Sequence, residues 1–124
     1  DSETIYLLTR EDETTYNIVN VAQFMRTYHR DSSGWVFRGV PANDFYIWES
    51  NSWNLDSTRM NAEIRLQRGY KLGMSDWTQA NDSPLSDSKK TEWATYRQAL
   101  RDIMTNLPAD LDDPENVVWP TEPS

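Results

Sequence analysis

Residues 86–108, SDSKKTEWATYRQALRDIMTNLP, decide the fold of this chain. Trp93, Tyr96, Leu100, Ile103 and Leu107 recur at steps of three and four, the spacing at which side chains share one face of an α-helix. Ser86 stands before the pattern as an N-cap, since its hydroxyl can accept from a free backbone N–H of the first turn. Pro108 is expected to stop the helix, because the residue before a proline is pushed out of the α region. An aromatic stripe at this spacing is first of all a core surface. Trp93, Tyr96, Leu100 and Ile103, together with Trp77 from the preceding segment, are therefore assigned to the core.

A helix with one apolar face needs something to cover it, and the chain on either side supplies it. Upstream, Asp56 or Ser57 can cap a helix running towards Met74, with Met60, Ile64 and Leu66 on its apolar side. Gly69 and Gly73 cost that helix about 1 kcal/mol each relative to alanine, so loose last turns are expected. Residues 75–85, with Pro84, form the connecting loop. Downstream, the chain carries four of its six prolines from Pro108 onward and reads as an extended tail.

The first 56 residues differ in character. Thr4–Leu8 and Thr14–Val19 read as a strand hairpin, and Val21, Phe24, Met25 and Tyr28 as a short helix beginning at Asn20. Trp35–Phe37 and Phe45–Trp48 follow as strands, with a polar loop over residues 50–54. The expected class is α+β: a small β-rich N-terminal lobe (1–56) with one short helix, then a C-terminal helical hairpin with an extended Pro-rich tail (57–124). Together these are expected to form one compact domain.

Composition narrows the function. The 124 residues include no cysteine, which removes disulfides, thiol catalysis and zinc–thiolate sites. A net charge of −8 and a pI near 4.5 argue against nucleic acid and anionic lipid as general partners. No apolar run approaches the roughly 18 residues of a membrane span, and the opening DSETIYLL lacks the basic region of a signal peptide. Beginning at Asp1 without a methionine, the chain reads as a fragment or a processed product. Its only histidine, His29, is expected to close the short helix rather than act as a base. Asp110, Asp112, Asp113 and Glu115 could ligate calcium but lack the glycine and distal glutamate of an EF-hand loop, so a solvated acidic linker is the simpler reading. No cofactor and no catalytic residue are expected.

Two sets of residues remain as candidate partner-binding groups. Lys90, Arg97 and Arg101 are expected on the face opposite the aromatic stripe. Either the acidic tail or N-terminal half neutralises them, or they dock an acidic partner. Val117, Val118 and Trp119, bracketed by Pro114 and Pro120, form an apolar strip that can pack across its own helical hairpin or insert into a neighbouring subunit.

The order Ser75-Asp76-Trp77-Thr78-Gln79, Asp82 with Pro84, Trp93-Ala94-Thr95-Tyr96-Arg97-Gln98-Ala99-Leu100-Arg101-Asp102, and Asn116-Val117-Val118-Trp119-Pro120 resembles the phage tail assembly chaperone proteins. The landmarks cover about 50 residues, with the helix from Ser57 as lead-in. The resemblance implies a non-catalytic tail morphogenesis protein that binds tape-measure, tube or baseplate proteins in the host cytoplasm. The alternative is a structural virion component: a tail, baseplate or fibre accessory. Self-association is compatible with both.

Overall fold

A computed structural model of the chain describes residues 6–10, 16–20 and 26–124. In order, its elements are β1 (Tyr6–Arg10), β2 (Tyr16–Asn20), β3 (Tyr28–Asp31), β4 (Gly34–Phe37), β5 (Tyr46–Glu49), β6 (Ser52–Leu55), α1 (Ser57–Ser75) and α2 (Asp87–Arg101). Single 3-10 turns occupy Asp76–Gln79, Ile103–Thr105 and Pro114–Asn116. The class is α+β. Two compact units divide the chain, one holding residues 1–42 and 48–54, the other residues 43–47 and 55–124.

Among the described residues the strands form three two-stranded pairs. β1 and β2 are antiparallel, with Leu7 opposite Val19 and Leu8 opposite Ile18, which is the expected hairpin. Its connection, residues 11–15, lies outside the described residues. So do Val21, Phe24 and Met25 of the expected short helix. Tyr28, its last expected position, instead opens β3 and pairs with Phe37 of β4, their rings 5.1 Å apart. His29 is likewise a strand residue, with its ring stacked 5.7 Å from that of Trp48.

The polar loop expected over residues 50–54 is a tight turn followed by β6. Ser50 and Asn51 have φ of 52° and 60°, the positive values of a type I′ turn, whose twist matches the flanking strands. Exposure then alternates from Ser52 to Leu55 with the strand period of two. Trp53 therefore points inward, its indole N–H donating to the carbonyls of Arg38 and Gly39, each at 3.1 Å. Trp48 meets it edge to face at 5.5 Å under the Arg38 guanidinium.

In the C-terminal unit, Asp56 caps α1 by accepting from the Arg59 N–H at 3.2 Å. Met60 and Ile64, one turn apart, are buried, whereas Leu66 is 69% exposed. At 3.6 residues per turn Leu66 lies about 200° round from Ile64, so the two cannot share the buried side. α2 begins where Ser86 accepts from the Lys89 N–H at 3.2 Å, with Asp87 in its first turn and Arg101 in its last, both favourable to the helix dipole. It ends at Arg101 and not at Pro108. A separate 3-10 turn follows over Ile103–Thr105, in which the Thr105 hydroxyl donates to the Asp102 carbonyl at 2.8 Å.

The core joins Met60 and Ile64 of α1 to Ile103 after α2 and Val117 near the end, with Phe45, Leu55, Met104, Leu107, Leu111 and Trp119 packed against them. The last residues are thus not extended throughout. Asp113 accepts from the Glu115 N–H at 3.0 Å, Pro114 opens a 3-10 turn, and Val117 is carried inward. Asp112, just before that turn, accepts from the Tyr46 hydroxyl through its carboxylate and from the Asn43 side chain through its carbonyl, both at 2.8 Å. Residues 43–47 are fastened to the tail by these two bonds.

Candidate functional site

The junction of α1 and α2 brings most of the motif residues together. Arg97 donates from Nη1 to the Leu72 carbonyl at 2.6 Å and to Ser75 Oγ at 2.7 Å, and from Nη2 to Asp76 Oδ1 at 2.7 Å. A cation from α2 thereby satisfies the end of α1, whose last turn holds no basic residue of its own. That explains why α1 persists through Gly69 and Gly73 to Ser75. The Thr78 hydroxyl, fully buried, donates to the Ser75 carbonyl at 2.6 Å. Gln79 reaches across to the Lys90 carbonyl at 3.0 Å. Trp77 and Trp93 approach to 6.3 Å, and Trp93 meets Tyr96 edge to face at 5.6 Å. The Ser75–Gln79 and Trp93–Arg97 motifs are two sides of one structural joint.

The candidate cations separate accordingly. Arg97 is 9% exposed and lies within the aromatic stripe, not opposite it. It follows Trp93 by four residues and precedes Leu100 by three, which puts it on their face. Its carboxylate partner is Asp76, neither the acidic tail nor the N-terminal half. Lys90 is half-buried, and Arg101 is exposed with a bond to the Gln98 side chain at 3.2 Å. Tyr96, Leu100 and Ile103 are buried, Trp93 is half-buried, and Trp77 is 50% exposed, since it sits on the joint's outer side. In the terminal strip Val117 is buried, Trp119 is half-buried beneath the Lys71 ammonium at 5.2 Å, and Val118 points outward.

Two tyrosines hold their protons more tightly than usual. The Tyr46 pKa is raised by its bond to the Asp112 carboxylate, then by burial and by that residue's charge. That of Tyr96 is raised by burial and, secondarily, by the charge of Glu122. The remaining carboxylates form no metal centre: among the described residues, no three of His, Asp and Glu are grouped to hold an ion. No described helix is long and apolar enough to cross a membrane.

The feature that sequence reasoning missed is the outer side of α1. Leu66, Tyr70 and Met74, at steps of four, are 69%, 69% and 59% exposed. Beside them Ala62, Gly69 and Gly73 are exposed too, so that positions 62, 66, 69 and 73 follow the four-three-four rhythm of a helix-packing seam. Leu66, Gln67, Tyr70 and Lys71 line a shallow depression of about 370 Å³. The rhythm is visible in the sequence, but two of its four members are glycines and carry no hydropathy signal.

No curated protein and no solved structure matches the chain. A family model described as phage tail assembly chaperone protein matches residues 61–124, a span that contains most of α1, the Arg97 joint, α2 and the terminal strip. The match covers more than half of the chain, which therefore belongs to the phage tail assembly chaperone protein family and has its role in phage tail assembly.

Proposed function

We infer that the chain is a non-catalytic module that binds another tail protein, a tape-measure, tube or baseplate component, during assembly in the host cytoplasm and leaves before the tail is complete. The observation that carries this reading is the apolar outer side of α1, which lies within the family segment and has Leu66, Tyr70 and Met74 exposed. Contiguous exposed apolar side chains on a folded protein mark interaction surfaces. The charged groups nearest the family motifs support a structural role for those motifs, since Arg97 and Asp76 bond to each other and to the helix end.

Quantitative mass spectrometry of purified particles and of the lysate they came from tests the reading. The expected result is abundant protein in the lysate and none in finished particles. Stoichiometric copies in the particles would overturn the chaperone role and make the chain a structural virion component.

A further inference from the structure

We propose that the C-terminal strap, residues 111–119, and an upstream segment, residues 43–47, open and close together on an otherwise folded C-terminal unit, with Asp112 as the clasp they share. The inference goes beyond the binding role above and does not depend on it.

The strap is held at few points. Its 3-10 turn is closed by its own groups: Asp113 accepts from the N–H groups of Glu115 and Asn116, and the Pro114 carbonyl accepts from that of Val117. Among the described residues, its hydrogen bonds to the rest of the unit are those at Asp112, received from the Tyr46 hydroxyl and the Asn43 side chain. Otherwise it relies on Val117 against Met60, Ile64 and Ile103, and on Trp119 beneath Lys71. Pro108, Ala109 and Asp110, which lead into it, are exposed. A short segment with little buried surface of its own and an exposed lead-in has the makings of a unit that opens below the global unfolding free energy.

The upstream segment depends on the same residue. The Asn43 side chain accepts from the Phe45 N–H through its oxygen and donates to the Asp112 carbonyl through its nitrogen, both at 2.8 Å. The Phe45 carbonyl in turn accepts from the N–H of Asp56, the cap of α1, at 2.7 Å, and the Phe45 side chain packs against the same core as Val117. Neither segment can lift away without leaving polar groups of the other unpaired, and groups in one hydrogen-bond network couple energetically. Residues 42 and 48, on either side of the upstream segment, belong to the other unit. The strap is thereby linked to the stretch by which the chain enters the C-terminal unit. The Arg97 joint with Leu72, Ser75 and Asp76 draws on neither segment, so the helices stay joined when the strap lifts. Opening exposes Met60 and Ile64, against which Val117 and Phe45 pack in the closed state.

The test measures local opening in the full 124-residue chain. Hydrogen exchange of the Asp56 N–H, followed by NMR, reports the upstream segment, because that N–H bonds to the Phe45 carbonyl. The chain has no cysteine, so Val117→Cys places a single thiol whose reaction rate with a disulfide reagent reports the strap. Both opening equilibria should exceed that of the Leu100 N–H, at a fully buried position of α2, by at least about tenfold. Trp119→Ala loosens the strap without removing any group of the clasp, and it should raise both equilibria by the same factor. In the Asp112→Ala background it should raise that of the strap alone. Should Asp112→Ala fold poorly, Asn43→Ala with Tyr46→Phe removes the same bonds from their other partners and makes the same comparison. An Asp56 N–H indifferent to Trp119→Ala shows that the two segments open separately and overturns the proposal. So does opening of either segment only together with the Leu100 N–H, or a coupling that survives loss of the Asp112 bonds.

Discussion

The Arg97 guanidinium in α2 donates to the carbonyl oxygen of Leu72 in α1 at 2.6 Å, so the second helix caps the first. Charge-assisted bonds to buried acceptors contribute about 1.5–3 kcal/mol each. Arg97→Ala should therefore destabilise the chain by about 3 kcal/mol. Asp76→Asn should cost about 1 kcal/mol or less, because the Asp76 side chain is 67% exposed and water replaces its partner. Chemical denaturation of both variants checks the ranking. Equal losses would mean that the ion pair, and not the helix-end capping, is the stabilising element.

The terminal strip leads to a second expectation. Truncation after Asp113 removes Pro114, Val117 and Trp119, of which Val117 belongs to the buried cluster with Met60, Ile64 and Ile103. Burial of a valine alone is worth about 1.5 kcal/mol or more, so the truncated chain should melt several degrees lower. Differential scanning calorimetry decides. An unchanged melting temperature would show that the strip contributes nothing to its own unit.

How much of this was legible in the sequence depended on how local the signal is. Asp56 and Ser86 are caps, and the periodicity of Tyr96, Leu100 and Ile103 needs only neighbouring residues, so both helices could be read. The end of α2 could not, because the chain passes from the α-helix into a 3-10 turn over Ile103–Thr105 while the apolar spacing runs on to Leu107. β6 was hidden by its polar residues Ser52 and Asn54, although Trp53 and Leu55 alternate with them. Arg97 read as a surface cation because its partner Asp76 lies 21 residues away across the joint. The first hairpin was readable, and Arg26 and Thr27 are helical as expected, but the helix's last position was not readable: Tyr28 suits either a helical or a strand pattern, and its pairing with Phe37 decided it.

Gly69 and Gly73 offer a test in the opposite direction. Since nothing lies within 4 Å of an added Cβ, Gly69→Ala and Gly73→Ala should each stabilise the isolated chain by about 1 kcal/mol. Thermal melts of the single and double variants check this. Destabilisation would show that the outer side of α1 is already covered within the chain.

Stability should also fall at alkaline pH. Tyr46 and Tyr96 both have raised pKa values in the folded chain, so the unfolded chain releases their protons first. Their contribution is fully present below the unfolded tyrosine pKa of about 10 and is lost as pH climbs through the folded values. Melting temperatures between about pH 8 and pH 11 should decline, and Tyr96→Phe should flatten the decline because it cannot ionise. A decline as steep in a Tyr46→Phe/Tyr96→Phe double variant as in the original would assign the effect to other groups.

The central claim is that this chain is required to build a phage tail. Electron microscopy of lysates from a phage whose copy of the gene is interrupted tests it most directly. The account predicts filled heads without attached tails, restored when the intact gene is supplied from a plasmid. Tailed, infectious particles at normal yield from the interrupted phage would contradict it.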